Sequence, residues 1–517
     1  MHGGMSQYFN GTDYVMALPM ILLALFALGI LLIDLMLPQE WKWANAVTAF
    51  IGLIFAAIGI SGVPRLGPFP GVLGISGALE RFRVLAYPAA SGSLLMDHFT
   101  IFFFYLFLAG AAIAILMSVR YLELEHEHHG EYYALILFSV IGMMCMAAGY
   151  DIVLIFIGLE LMAISTYVLV GFLRSDRRSN EGALKYLLLG AFSSGVFAYG
   201  LSLLYGLTGS TNLYEIGKGI VKYVDAEGHV SPIAVVALLA TSVGLLFKIA
   251  AVPFHQWAPD AYEGAPTCVT GFMSVAVKAA GWAMLLRILI WGLYPLRHVY
   301  VPLLIFVAIA TMTVGNLAAL TQTNLKRLLA YSSIAHVGYM LLGLIALASV
   351  NYPAAAFFDG FKGILVYLLV YTFMNLGAFA VVTSLRQRNV IGDDLHDIEG
   401  LYSRAPTEAV LMLIFLLSLA GIPPLAGFYG KYFIFLSLIE SNHYVLASLG
   451  VVYSVFGLYY YLRVANAMFM QEATIKERLP ISVGMKVALG VTALFTVVIG
   501  ILPERFIEAV TWSLRLG

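Results

Sequence analysis

The chain reads as an all-α polytopic membrane protein of about fourteen transmembrane helices, with two inverted five-helix repeats and broken helices at spans 7 and 12. Three observations carry that reading. Of 517 residues, 61% are hydrophobic and 11% charged, against about 25% charged in an ordinary soluble domain. The bilayer is therefore the solvent for most of the surface. Apolar stretches of about 20 residues, the length a spanning helix needs, recur along the whole chain. Four ionisable residues, Glu160, Lys248, Lys278 and Lys431, stand inside such stretches, where a charge costs ~2.5–3.5 kcal/mol or more.

The spans fall at 15–37, 45–63, 97–118, 132–149, 152–173, 183–207, 232–253, 267–292, 299–320, 328–348, 361–384, 407–440, 443–470 and 483–503. Before the first run stands MHGGMSQYFNGTDY, which lacks the basic start and cleavage site of a signal peptide. The stretch 407–440 is too long for one straight helix and holds GIPPLAGFYG at its centre. It reads as two half-helices joined by extended backbone, which is tolerated at membrane depth only inside protein or beside a water-filled cavity. The seventh span runs into Pro253 in the same way, just after Lys248. Five spans separate the two breaks. Because five is odd, the repeats run in opposite directions, a common transporter design. The expected division is a three-span segment 1–131 with a Gly-, Pro- and Ser-rich loop 64–96, a first repeat 132–292, a second repeat 299–470, and a last span within 471–517.

Lysine and arginine in short loops set orientation. Arg174, Arg177, Arg178, Lys326, Arg327, Arg386, Arg388, Arg404, Lys476 and Arg478 are expected on one side, and Arg65, Arg81, Arg83, Lys218 and Lys222 on the other. This bias places both termini outside the cytoplasm. The net charge of -1 leaves no basic footprint for nucleic acid. The two cysteines, Cys145 and Cys268, form no CxxC pair, which speaks against zinc or iron–sulfur ligation. No P-loop and no GxGxxG after a strand is present, so no nucleotide site is expected. His126, His128 and His129 in ELEHEHHGEYY look like metal ligands but read as a short solvated loop.

Lys248 precedes a proline that leaves helix-end carbonyls without partners; their dipoles favour a cation. Burial and a nearby carboxylate act in opposite senses on a lysine's proton affinity, so a lysine between them exchanges its proton near neutral pH. The alternative is a side chain that snorkels to the headgroups. Glu160 is too short to snorkel and is neutral and structural, hydrated, or matched to a lysine, with Lys248 the expected partner. Lys278 lies among Ala276, Ala279, Ala280 and Gly281, small residues that suit close helix approach or a wet gap. Lys431 follows the second break as Lys248 precedes the first. His336, beside Ser332 and Ser333, is either a proton shuttle or a hydrogen-bonded packing residue. Asp34, Asp97 and Asp151 are expected at span ends among headgroups. Asp359 and Lys362 are expected to form a surface ion pair, and His255 and Asp260 to face water or gate access.

The segments FIGLELMAISTYVLVGF, FKIAAVPFHQWAPDAYEGAPT, NLKRLLAYSSIAHVGYML, YTFMNLGAF and LAGIPPLAGFYGKYFIF resemble the antiporter-like membrane subunits of respiratory complex I. The text after the first break, YEGAPTCVTGFMSVAVKAAG, is similar to the subunit N branch, where sister subunits read more like MEGPTPVSALIHA. The resemblance implies a proton-translocating subunit of a bacterial plasma-membrane NADH:quinone oxidoreductase. Glu160, Lys248, Lys278 and Lys431 take the proton-channel positions, and His336 lies on the axis between half-channels. It also implies that NADH, FMN, iron–sulfur clusters and quinone belong to partner subunits, with none on this chain, and that other membrane-arm subunits are its partners. Two other readings use the same charges: a Na+/H+ antiporter or a subunit of one, and a structural spacer whose charges only hold helices together.

Overall fold

Inside a bilayer each backbone N–H and C=O must find its partner within the protein, and this chain meets that condition almost entirely with helices. The computed structural model describes residues 11–61, 86–89, 92–224, 228–349, 354–386, 393–472 and 482–514. In chain order the elements are α1 (Gly11–Asp34), α2 (Trp43–Ser61), β1 (Ala86–Ala89), β2 (Leu94–Asp97), α3 (His98–Leu124), α4 (Gly130–Ala148), α5 (Ile152–Val170) and α6 (Arg177–Thr208). There follow the short α7 (Leu213–Ile220), α8 (Pro232–Ile249), the short α9 (Trp257–Gly264), α10 (Thr267–Phe272), α11 (Lys278–Leu286), α12 (Arg297–Thr321), α13 (Leu325–Ala348) and α14 (Ala354–Arg386). The last are the one-turn α15 (Leu401–Arg404), α16 (Pro406–Ala420), α17 (Ala426–Glu440), α18 (Tyr444–Met470), α19 (Val483–Ile501) and α20 (Pro503–Ser513).

Among the described residues, 13 helices or helix runs are long and apolar enough to cross a membrane. The pair α16 and α17, 15 residues each, makes the expected fourteenth. The chain is a multi-pass integral membrane protein. Its outer helices turn large apolar side chains outward, with Leu32, Phe192, Phe306 and Val445 all more than half exposed. In water that surface would be untenable; in lipid it costs nothing.

The centre is formed by the run Thr267–Gly292 with α13 and α14. The first is buried along its whole spanning stretch. It is one span, but not one regular helix: α10 and α11 are joined by a π-helical segment, Met273–Val277, and a second closes the run at Arg287–Gly292. A π turn inserts an extra residue, and such turns often mark functional positions. Periodicity in the sequence carries no sign of them.

Both expected breaks are present. Helix α8 is capped by Ala250 and α16 by Gly421, each in the left-handed conformation, with φ of 59° and 88°. Each break also contains a cis peptide, Val252–Pro253 and Pro423–Pro424.

Several expectations need correction. Residues 62–63 and, in the long loop, 64–85 and 90–91 lie outside the described residues, with Arg65, Arg81 and Arg83 among them. The end of that segment is no loop: β2 pairs antiparallel with β1, Ala86 opposite Asp97, and β2 is buried. Arg388, Lys476 and Arg478 also lie outside the described residues. Lys326, counted among the short-loop cations, opens α13 and is 3% exposed; its Nζ donates to Glu263 O and Ala265 O, at 2.6 and 2.8 Å. It serves carbonyls at the end of α9 that the helix itself leaves unpaired. His128, expected in water, is buried against Tyr133, its Nε2 2.9 Å from the phenol oxygen.

Candidate functional site

Lys248 lies in the last turn of α8 and is 2% exposed, so it does not reach the headgroups. The left-handed Ala250 lets the chain fold back, and the terminal carbonyls are taken by other donors. Ala251 N bonds Leu246 O, Ala250 N bonds Phe247 O, and Trp257 Nε1 also reaches Phe247 O at 3.0 Å. The ammonium instead sits 5.5 and 5.8 Å from the Tyr167 and Tyr186 rings, where the ring quadrupole attracts a cation. Tyr186 in turn stacks on Trp257 at 4.3 Å. Glu160, on α5, does not close the expected contact. Its Oε1 and the Lys248 Nζ are both without a hydrogen-bond partner among the described residues.

Lys278 begins α11, directly after the first π segment. It is 2% exposed and donates to Ser333 Oγ and, at 3.4 Å, to Ser333 O on α13. One turn further on, Gly281 packs closely on the end of α8. A Cβ there would meet Lys248 Cβ at 3.4 Å and Ile249 Cγ2 at 3.2 Å. The missing side chain lets α11 lie against the end of α8.

His336 follows Ser333 by one turn of α13. Its Nδ1 is 2.5 Å from Tyr367 OH on α14, and its Nε2 is 3.0 Å from Tyr461 OH on α18. Tyr461 OH is also hydrogen-bonded to Ser332. An imidazole engaged at both nitrogens can accept a proton on one side and release it on the other.

Lys431, 7% exposed on α17, does what was expected of a lysine at a break. Its Nζ donates to Ala420 O at 2.8 Å, the last residue of α16, at the negative end of that helix. It also lies 5.0 Å from the Tyr339 ring.

One buried pair was missed in the sequence. Asp97, expected among headgroups, is 2% exposed and caps α3 through Thr100 N. Arg287, fully buried in the second π segment, meets it with two parallel bonds of 2.7 and 2.6 Å. It also donates to Thr100 Oγ1 and Ala147 O. The signal was available: an arginine in LLRILIWG breaks the same rule that flagged Lys278. Asp34 is likewise buried, paired with Lys42 at 2.8 Å, and Asp151 caps α5. The Asp359–Lys362 ion pair is present on α14, with Lys362 4.4 Å from the Phe433 ring. Among the described residues no group of three or more His, Cys, Asp or Glu side chains could hold a metal.

Residues 149–457 match the family model described as NADH:quinone oxidoreductase/Mrp antiporter, TM. That stretch holds Glu160, Lys248, Lys278, His336 and Lys431, the five candidate residues. NADH-quinone oxidoreductase subunit N 1 of Koribacter versatilis (strain Ellin345) is 62% identical over 506 residues, which cover 98% of this chain and 96% of that protein. The chain belongs to the NADH-quinone oxidoreductase subunit N family. A second member, subunit N 2 of Solibacter usitatus (strain Ellin6076), is 49% identical over 510 residues, 98% of this chain and 99% of that protein. Among solved structures, a chain of respiratory complex I from Thermus thermophilus with bound aureothin superposes with a TM-score of 0.74 at 30% identity, covering 95% of this chain and 99% of that one. The fold reaches beyond the subunit N family. A chain of the Mrp complex from Dietzia sp. DQ12-45-1b has a TM-score of 0.76 at 19% identity, covering 97% of each chain, a likeness of fold alone.

Proposed function

We propose that this chain is a proton-translocating membrane-arm subunit of an NADH:quinone oxidoreductase, with Glu160, Lys248, Lys278, His336 and Lys431 as its proton row. NADH, FMN, the iron–sulfur clusters and quinone are held by partner subunits, and other membrane-arm subunits flank the chain. It sits in a bacterial plasma membrane with both termini outside the cytoplasm. The two helix breaks fall in two inverted repeats, 132–292 and 299–470.

The observation that carries this reading is the row itself. Three buried amines and an imidazole, the outer two amines each beside a helix break, are tied in by Ser333 and by Tyr367 and Tyr461. A structural spacer has no use for an unpaired buried ammonium. Lys248 Nζ and Glu160 Oε1 hold no hydrogen bond among the described residues, and bringing the two groups together or apart would change each one's proton affinity. Each pKa unit so gained is about 1.4 kcal/mol, so several units are needed for useful pumping. From Lys248 the proton passes to Lys278, past His336, to Lys431.

The test is replacement of Lys248 or Glu160 by alanine in the assembled complex. NADH-driven proton uptake by membrane vesicles should fall sharply while the complex still assembles. Unchanged pumping would overturn the reading. Purification without flavin or iron–sulfur partners, together with sodium-dependent proton flux in liposomes, would favour the antiporter instead.

A further inference from the structure

Helix α9 is eight residues long, yet it touches the surroundings of two buried lysines, one through a ring that backs the Lys248 aromatics and one through a ring beside Lys278. Trp257, at its start, stacks on Tyr186 in the Lys248 cage and bonds Phe247 O. Tyr262, two residues before its end, has its ring 5.9 Å from the Lys278 Nζ. Such a short helix does not hold its own position.

Asp260 lies between those two rings, and its carboxylate is shared. Oδ2 accepts from Lys185 of α6 at 2.8 Å, and Oδ1 accepts from Arg327 of α13 at 2.6 Å. Arg327 reaches Glu263 of the same short helix at 2.8 Å, while the adjacent Lys326 holds the backbone at Glu263 and Ala265. Helix α6 is pressed against α9 through small residues. A Cβ on Gly182 would stand 2.9 Å from Asp260 O, and one on Gly264 would stand 2.3 Å from Arg178 O. Helix α13 also carries Ser333, which holds Lys278, and His336.

We propose that Asp260 is a positioning residue, which sets α9 between α6 and α13 so that the Lys248 cage and the Lys278–His336 segment keep one register. The inference rests on the proton-row reading above. The side chains of the network are partly open to water: Asp260 is 28% exposed, Arg327 27% and Lys185 45%. Ion pairs this exposed contribute little to stability. Their role is therefore geometric: one acid bonds a cation from each flank and fixes the short helix between them.

The experiment uses the complete complex in native membranes, with assembly checked on native gels. NADH-driven proton uptake is followed from pH 6 to 9 for wild type, Asp260→Asn, Asp260→Glu, Lys185→Ala and the double variant Asp260→Asn with Lys185→Ala. Asp260→Asn should lower pumping several-fold and displace the pH profile, because Lys248 and Lys278 lose their fixed surroundings. Asp260→Glu should recover most of the rate. Adding Lys185→Ala to Asp260→Asn should change nothing further, because both act through one joint. An unmoved pH profile in assembled Asp260→Asn complex, or full additivity with Lys185→Ala, overturns the proposal. Lys248→Ala, run alongside, separates the two claims. If it abolishes pumping while Asp260→Asn does not alter the profile, only the positioning role fails. If Lys248→Ala also pumps normally, the proton row itself fails.

Discussion

An arginine with no exposure at all is tolerated only because its surroundings match its donors. Arg287 places its guanidinium on both Asp97 oxygens, Thr100 Oγ1 and Ala147 O. Removing one member of a buried pair costs about 3–5 kcal/mol, whereas replacing both with apolar residues is often neutral. Arg287→Ala should therefore sharply reduce the amount of assembled subunit, and Arg287→Met with Asp97→Leu should restore most of it, as read by immunoblot of washed membranes. Ser333 allows a finer cut. Its hydroxyl accepts from the buried Lys278 ammonium, and a hydrogen bond to a charged group is worth about 1.5–3 kcal/mol. Ser333→Ala should slow proton uptake by roughly tenfold or more while the protein level stays normal. Loss of both together would mean that Ser333 serves packing instead.

At the scale of elements, the breaks were legible and the helices around them less so. Pro253 and the GIPP run announce themselves because proline cannot donate to a helix and clashes with its preceding turn. The π segments were invisible, since an inserted residue in a uniformly apolar span leaves no mark on its pattern. The two lysines also proved unlike each other. Lys431 meets the free carbonyl of Ala420, but the carbonyls near Lys248 are claimed by Trp257 and by returning backbone, contacts that only the folded chain reveals. Gly421 tests the second break. Its φ of 88° is one that side chains resist, and a Cβ there would stand 2.9 Å from Lys431 Cδ. Gly421→Ala should cost about 1–2 kcal/mol from the backbone alone and displace the lysine, lowering both the melting temperature of the complex and its pumping. The α9 joint has its own pH signature. Burial pushes the Asp260 carboxyl up, but the bonds from Lys185 and Arg327 outweigh it and hold it below the usual carboxylate range. A lowered acid contributes its stability above the unfolded value of about 3.9 and loses it as pH falls through the folded one. The joint should stay closed across pH 5–8 and loosen only in stronger acid; protease nicking of 250–266 that rose between pH 8 and 6 would contradict this.

For the molecule as a whole, the decisive question is whether its lysines work in series or as separate conductors. All of them lie in one interior. Gly281 brings the α11 backbone against Lys248, Ser333 ties Lys278 to α13, and His336 on α13 reaches α14 and α18. Helix α14 packs on α17 around Lys431, where Gly430 lies against Tyr367, the phenol bonded to His336. The proposed single file makes a numerical prediction. In series, a block at either end stops the flow, so Lys248→Ala, Lys431→Ala and the double variant should lose the same share of NADH-driven proton uptake. In parallel, each single variant would lose part and the double would lose their sum. Such non-additivity between groups too far apart to touch is the signature of a shared path rather than shared packing. Vesicle proton uptake, normalised to assembled complex and measured in sodium-free medium, decides it. A double variant markedly worse than either single one would divide the row into two independent routes, with His336 left as a packing residue between them.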